Sequence, residues 1–322
     1  MFEMVKVLGT ISRAEFLLPN LGSLIMGLAW GAAPPMGVSE LVVLMVLSFT
    51  IINLSSAIGA QANTLSDREL DSKDNRKKQL VNAMNTFGSS RLVIVLLVEF
   101  TFNLIAVLAF TLVQQNLTLL LLWLVGISLG CCYSLPPLRL KSRGWLAPIS
   151  LILSLAIFPV LFAYYAFTNV MNLNFLMSLG GLALTVYGVI IPTEIRDYFG
   201  DKAMGIKTMT VRLGLAKASL MGIALLTIGA VLTTTAFLLE WIRAGHSWLS
   251  VFLFMIPVVV IFVLRKFRKL YSLSKKHAAS ENSVSVAEEI MRMAADNPRW
   301  IMLVTQAYSF ISITLLLSRF LL

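Results

Sequence analysis

Charge is scarce in this chain. Only 13% of its 322 residues are charged, about half of what a soluble domain carries. That shortage excludes an ordinary soluble enzyme and a disordered polyelectrolyte. Cysteine and histidine are nearly missing. Cys131 and Cys132 are neighbours in an apolar run with no third thiol to pair with, so no disulfide framework is expected. His246 and His277 stand alone, which argues against a Cys/His zinc site. The first twenty residues, MFEMVKVLGTISRAEFLLPN, lack a short apolar core followed by a small-residue cleavage site. No removable signal peptide is expected there.

What the chain has is apolar side chain, 58% of it, with a mean hydropathy of +0.84. The apolar residues gather in runs at about 15–33, 40–62, 92–113, 117–134, 146–166, 175–192, 216–239, 248–264 and 300–321. Each approaches the roughly 20 residues needed to cross a bilayer. Backbone groups in hydrocarbon are satisfied only in helices or closed barrels. A barrel would alternate polar and apolar residues over segments of about 10. These runs are continuous, so the expected fold is an all-α polytopic membrane protein of about nine helices, with 1–322 as one membrane domain.

The polar connections alternate in charge. Every Lys and Arg except Arg243 and Arg319 falls on one side of the expected membrane. The rule that basic loops stay inside then places the N-terminus in the cytoplasm and the C-terminus outside, in the cell membrane. The net charge of +10 is explained by anionic membrane lipid rather than nucleic acid, since no basic helix with interleaved aromatics is present. Residues 266–298 read as a polar cytoplasmic loop with a short amphipathic helix ending at Asn-Pro.

Two acidic motifs carry the chemistry. In NTLSDRELDSKDNRKK, Asn63, Asp67 and Asp71 lie four apart and share one helix face, which Asp74 extends. In EIRDYFGDKAMGIKT, Glu194, Asp197 and Asp201 share another. Clustered carboxylates beside a membrane repel unless neutralised. Carboxylate and amide oxygens suit Mg²⁺, which completes its shell with substrate phosphate. The interleaved cations Arg68, Lys73, Arg76, Lys77, Lys78, Lys202 and Lys207 fit the same ligand. A third loop, YSLPPLRLKSRGW, places Tyr133 at a helix end and Arg139 and Lys141 two apart. In an extended segment those two would point the same way.

Together the two acidic motifs and the Tyr-Ser-Leu-Pro-Pro loop resemble the UbiA superfamily of intramembrane prenyltransferases, over essentially the whole chain. The resemblance implies a helical bundle around a central cavity, with catalytic loops at about 63–91, 134–145 and 193–215. It implies transfer of a prenyl group from an isoprenyl diphosphate donor to a lipophilic acceptor. On that reading Asp67, Asp71, Asp197 and Asp201 hold Mg²⁺. Asn63, Arg68, Arg76, Lys77, Arg139, Lys141 and Lys207 bind diphosphate, and Asp71, Asp201 and Tyr133 are catalytic. A quinone-type aromatic precursor is the favoured acceptor, with an ether-lipid glycerol, a carotenoid or a tetrapyrrole as alternatives. The chain departs from many members at Arg196, where an acidic residue is common, and in lacking an Arg-Pro pair after the first motif. A transporter of anionic or phosphorylated solutes is the rival, but it should carry its charges near the bilayer midplane.

Aromatic side chains at Phe102, Phe110, Phe158, Phe162, Tyr164 and Tyr165 are candidates to line a prenyl channel. Glu99 and Asn103, one turn apart inside an apolar run, are either a functional intramembrane pair or a neutral Glu99 bonded to Asn103 or a neighbouring helix. Topology can be tested directly. In a variant lacking Cys131 and Cys132, single cysteines at Ser72, Ser142 and Met204 should label from the cytoplasmic side. A cysteine at Asn116 should label from outside. Reaction of the Ser72 and Met204 variants from opposite sides would end the one-site reading.

Overall fold

The computed structural model describes residues 2–72, 77–279, 284–295 and 297–322. Its helices are α1 (Phe2–Ile11), α2 (Leu17–Gly31), α3 (Val38–Ser72), α4 (Lys78–Phe87), α5 (Ser89–Gln114), α6 (Leu117–Ser134) and α7 (Leu146–Ile152). They continue as α8 (Phe158–Tyr165), α9 (Leu173–Ala203), α10 (Met209–Leu213), α11 (Leu215–Arg243), α12 (Met255–Ala279), α13 (Val284–Ala295) and α14 (Asn297–Leu321). Among the described residues, eight helical segments are long and apolar enough to cross a membrane. The 15-residue α2, packed against α8 and α14, is shorter. With it the described residues hold about the number of apolar helices expected, and the chain is an integral multi-pass membrane protein.

Helices outrun their apolar stretches where the motifs begin. α3 continues through Asn63, Asp67 and Asp71 to Ser72, and α9 continues through Glu194 and Asp201 to Ala203. The acidic motifs therefore sit on the last turns of two helices rather than on loops. The physical reason is that backbone groups near the membrane edge stay paired while the side chains change from apolar to charged. The stretch 266–298 is likewise mostly helical. α12 runs on to Ala279, and α13 buries Val286, Ile290 and Ala294 at four-residue spacing against α9 and α12.

α9 is the axis of the bundle. Two-thirds of its spanning window is buried (67%), whereas only 17% of the α5 window is. α5 accordingly exposes Ile94, Leu97, Val98, Phe102 and Ile105 on its outer surface. This removes Phe102 from the candidate channel aromatics. Phe110 and Phe162 are buried against each other, with ring centroids 6.0 Å apart. Tyr164 stacks on Phe175 at 3.8 Å. The span Leu146–Tyr165 contains a wide π-turn at Leu153–Ile157 just before Pro159. A proline has no N–H to donate and crowds the carbonyl four residues back, and the wider turn relieves that clash.

Two short amphipathic helices flank the first motif. α4 buries Leu80, Ala83, Met84 and Phe87. α1 contributes Met4, Val7, Leu8 and Ile11 to the same small core. Both stripes follow the i, i+3, i+4, i+7 spacing of a helix with one apolar face. At the far end, Arg319 of α14 donates to Glu240 at 2.7 Å and to the carbonyls of Ala29 and Trp30 at 3.0 and 2.8 Å. A cation suits the C-terminus of α2, where carbonyls are unpaired. Clefts of about 480 and 380 Å³ also lie at this end, lined by Trp248 and Phe254 and by Trp30 and Arg319 respectively. They contain none of the motif residues.

Glu99 and Asn103 turn to different partners. Gln61 of α3 donates to Glu99 at 2.7 Å and to Ser12 at 2.9 Å. Asn103 bonds Ser55 at 2.8 Å. These bonds tie α5 to α3 inside the membrane, so Glu99 and Asn103 serve helix–helix packing.

α9 and α11 approach backbone to backbone at Gly181 and Gly229. A Cβ at Gly181 would stand 2.7 Å from the Gly229 carbonyl oxygen, and one at Gly229 would stand 2.6 Å from that of Gly181. The adjacent Gly180 has open space. Gly181→Ala should therefore destabilise by about 1–3 kcal/mol, the scale of core overpacking. Gly180→Ala should leave stability unchanged or slightly raised, since Ala is the better helix former. Thermal unfolding of the two variants in detergent would check this; equal behaviour would refute the close approach.

Candidate active site

The first motif is built from the end of α3 outward. Asp67 and Asp71 are almost wholly buried, at 5% and 3% exposure, an unusual place for a carboxylate unless it is paired. Asp67 accepts from Arg139 at 3.2 Å on one oxygen and from Lys141 at closer range on the other. Asp71 accepts from Lys77 at 2.6 Å. Asn63 accepts from the Ser134 hydroxyl, and Ser66 donates to the Ser134 carbonyl at 2.9 Å. These two bonds lock the end of α6, and so the adjacent Tyr133, against α3.

Arg139 and Lys141 reach Asp67 by a different backbone from the extended one expected. Arg139 holds a left-handed φ of 38°, uncommon for a residue with a Cβ. Leu140–Ser142 then form a 3₁₀ turn. Arg143 donates to the Pro137 carbonyl at 2.9 Å and to that of Leu138, which closes the turn. Burial pulls the Lys141 ammonium below the usual lysine range. Its bond to Asp67 opposes that pull, and nearby Arg139 and Lys77 add to it. Three cations therefore crowd two carboxylates.

The second motif occupies the end of α9. Glu194 accepts from Thr210 of α10 at 2.7 Å and from the Tyr187 hydroxyl at 3.3 Å. Arg196 grips Asp197 through Nε and Nη2, at 3.0 and 3.2 Å. α10 is itself capped by Thr208, whose hydroxyl accepts from Val211 N–H at 3.4 Å. The guanidinium of Arg212 lies against Gly144, whose φ of 61° and missing Cβ make room for it. The second motif is thus packed against the turn that carries Arg139 and Lys141.

Tyr133 shows that the two motifs meet. Its phenol stands in the field of Glu194, Asp67, Asp201 and Asp197 together. Asp67 and three acidic residues of α9, more than 120 residues away in sequence, thus act electrostatically on one side chain.

Not every expected residue joins them. Arg68 donates to Ser89 at 2.8 Å and Asn85 at 3.1 Å, on the side facing α4 and α5. Lys207 is exposed on the connection between α9 and α10, and Lys202 lies over the Tyr198 ring at 5.7 Å. Lys73, Asp74 and Arg76 lie outside the described residues. Three residues were not anticipated: Ser134, Tyr187 and Thr210. Tyr187 precedes Glu194 by two helical turns, a same-face spacing visible in the sequence. The contact of Thr210 with Glu194 reverses the chain and has no such signal.

Among the described residues, no three His, Cys, Asp or Glu side chains come close enough to hold an ion by themselves. Any divalent cation at Asp67 and Asp71 would take much of its shell from water or a bound ligand, which is the habit of Mg²⁺.

The chain matches the UbiA prenyltransferase family over residues 18–285. It belongs to that family. Prenyl transfer, rather than solute transport, is the class of reaction that comes with this membership. Comparison with curated proteins gives no match. Among solved structures the fold is similar to that of a UbiA homolog from Archaeoglobus fulgidus bound to GPP and Mg²⁺. That structure has a TM-score of 0.62 and 19% identity, covering 96% of this chain and 99% of that one. A digeranylgeranylglyceryl phosphate synthase is similar at 0.62 and 15%, covering 97% and 99%. A UbiA homolog from Aeropyrum pernix K1 is similar at 0.60 and 14%, covering 90% and 96%.

In this UbiA-family chain the Thr210–Glu194 bond joins α10 to the acidic face of α9. A buried acceptor left without its donor costs about 1–3 kcal/mol. Thr210→Val should then lower turnover roughly tenfold or more while the protein still folds. Thr210→Ser should restore most of the loss. Full activity in the Val variant would show that Glu194 needs no such support.

Proposed function

We propose that this protein transfers the prenyl group of an isoprenyl diphosphate to a lipophilic acceptor, with Mg²⁺, at the cytoplasmic end of its helix bundle. The carrying observation is that Asp67 and Asp71, paired with Arg139, Lys141 and Lys77, are joined through Arg212 at Gly144 and Thr210 at Glu194 to the acidic end of α9. Asp67, Asp71, Asp197 and Asp201 would hold Mg²⁺, which neutralises charge on the departing diphosphate. The structures from Archaeoglobus fulgidus with GPP or DMAPP and Mg²⁺ support the donor and the metal.

The residues divide the work by charge. Breaking the allylic C–O bond sends its electron pair to the diphosphate and leaves a cation on carbon. Lys77, Arg139 and Lys141 stabilise the leaving group by charge-assisted hydrogen bonds. Arg76 belongs to the same set by its place in the motif. Asn63, with its oxygen held by Ser134, presents its amide to the same ligand. The Tyr133 ring shields the cation by its π-face, and the apolar bundle excludes water that would quench it. The acceptor attacks the cation, and Asp71 or Asp201 takes the proton it sheds.

The acceptor we favour is a quinone-type aromatic precursor. An ether-lipid glycerol is the second reading, supported by the similarity to the digeranylgeranylglyceryl phosphate synthase. Incubating the protein in lipid with donors of several lengths and both acceptor classes, with mass spectrometry of the products, separates them. Chelation of divalent ions should abolish turnover and Mg²⁺ should restore it. Asp67→Asn and Asp197→Asn should each lower turnover at least about a hundredfold, the scale of losing a key electrostatic group. Near-normal rates in both variants, or in excess chelator, would refute the proposal.

A further inference from the structure

The ion pairs of the first motif neutralise both of its buried carboxylates within the protein itself. Asp67 is buried, and each of its oxygens is taken, one by Arg139 and the other by Lys141. Asp71 is equally buried and holds Lys77. Two carboxylates face three cations. In the second motif Asp197 is gripped by Arg196.

A divalent cation coming alone has to displace an ammonium from Asp67. The displaced Lys141 side chain, only 16% exposed, would be left beside Arg139 and Lys77 with no anion. Like charges in a poorly hydrated place repel strongly. A diphosphate coming alone meets cations that are already engaged, with carboxylates behind them. When the two come together, both costs vanish. Asp67 and Asp71 would then hold the metal, and Lys141 and Arg139 would be free to bond the phosphates.

We infer that Lys141 and Arg139 act as resident counter-ions of Asp67 that make metal and diphosphate bind strongly only as a pair. The inference rests on the proposed prenyl transfer and adds to it a rule of binding. Such pairing would oppose the binding of a divalent cation that comes without diphosphate. It also assists release, because the product diphosphate can leave with its metal as Lys141 returns to Asp67. Coupling of this kind is reciprocal: whatever factor the metal adds to diphosphate affinity, diphosphate adds to metal affinity.

The experiment uses the full chain in lipid nanodiscs. Binding of Mn²⁺ alone is followed by the electron-spin resonance of the free ion. Retention of labelled inorganic diphosphate is measured by equilibrium dialysis with and without Mg²⁺. For the unmodified protein, Mg²⁺ should tighten diphosphate binding at least about tenfold, and Mn²⁺ alone should bind weakly. Lys141→Met should move the two ligands in opposite directions. Mn²⁺ alone should bind at least about tenfold tighter, and diphosphate with Mg²⁺ at least about tenfold weaker, each factor being about 1.4 kcal/mol. Lys141→Arg, which keeps the cation, should leave Mn²⁺ binding as weak as before. A damaged fold would weaken both ligands, and that result, or unchanged Mn²⁺ affinity, would overturn the inference. Tight diphosphate binding without metal would also overturn it while leaving prenyl transfer standing. No diphosphate retention even with Mg²⁺ would instead sink the prenyltransferase proposal itself.

Discussion

A carboxylate at the edge of a hydrocarbon layer has to be neutralised by something, and the site in this protein is organised around that requirement. Asp67 and Asp71 are buried to within a few per cent. Leaving either charge unpaired would cost several kcal/mol. The cations that answer them come from elsewhere in the chain: Lys77 from just beyond α3, Arg139 and Lys141 from the turn after α6. The pairing therefore fixes where α3 and α6 end relative to each other. Ser66, Asn63 and Ser134 finish the same junction with neutral hydrogen bonds.

The second half of the site meets this junction through α10. Arg212 lies against Gly144 and Thr210 reaches back to Glu194. One short helix thus touches both the cationic turn and the acidic face of α9. Tyr133 lies between the two halves.

The rest of the bundle keeps these ends in register. α9 is the most enclosed helix and packs tightly on α11, with Gly181 and Gly229 letting the backbones touch. Packing rather than water-driven burial holds helices together in lipid, so small residues at such a crossing matter most. The far end is closed by Arg319 and Glu240 and by the aromatic group of Trp30, Phe175 and Phe237. Charge is thus confined to the two ends of the bundle. The exception is Glu99, held by Gln61 where α5 meets α3.

Much of this was legible in the residues themselves. The long continuous apolar runs determine membrane helices, because backbone in lipid is satisfied only in helices or closed barrels and a barrel would alternate. The four-residue spacing of Asn63, Asp67 and Asp71 determines a shared face because a helix repeats every 3.6 residues. Local periodicity also placed the amphipathic α13. Whatever depends on distant segments was not legible. Arg68 and Lys77 are equally basic in the sequence, yet packing turns Arg68 to Asn85 and Ser89 and brings Lys77 to Asp71. Arg139 and Lys141 reach Asp67 through a left-handed residue and a 3₁₀ turn, not through a strand-like alternation. Thr210 joins Glu194 only because the chain folds back after α9. Periodicity is a property of one helix and can be read along it. Which cation neutralises which carboxylate is settled by how helix ends meet, and that exists only in three dimensions.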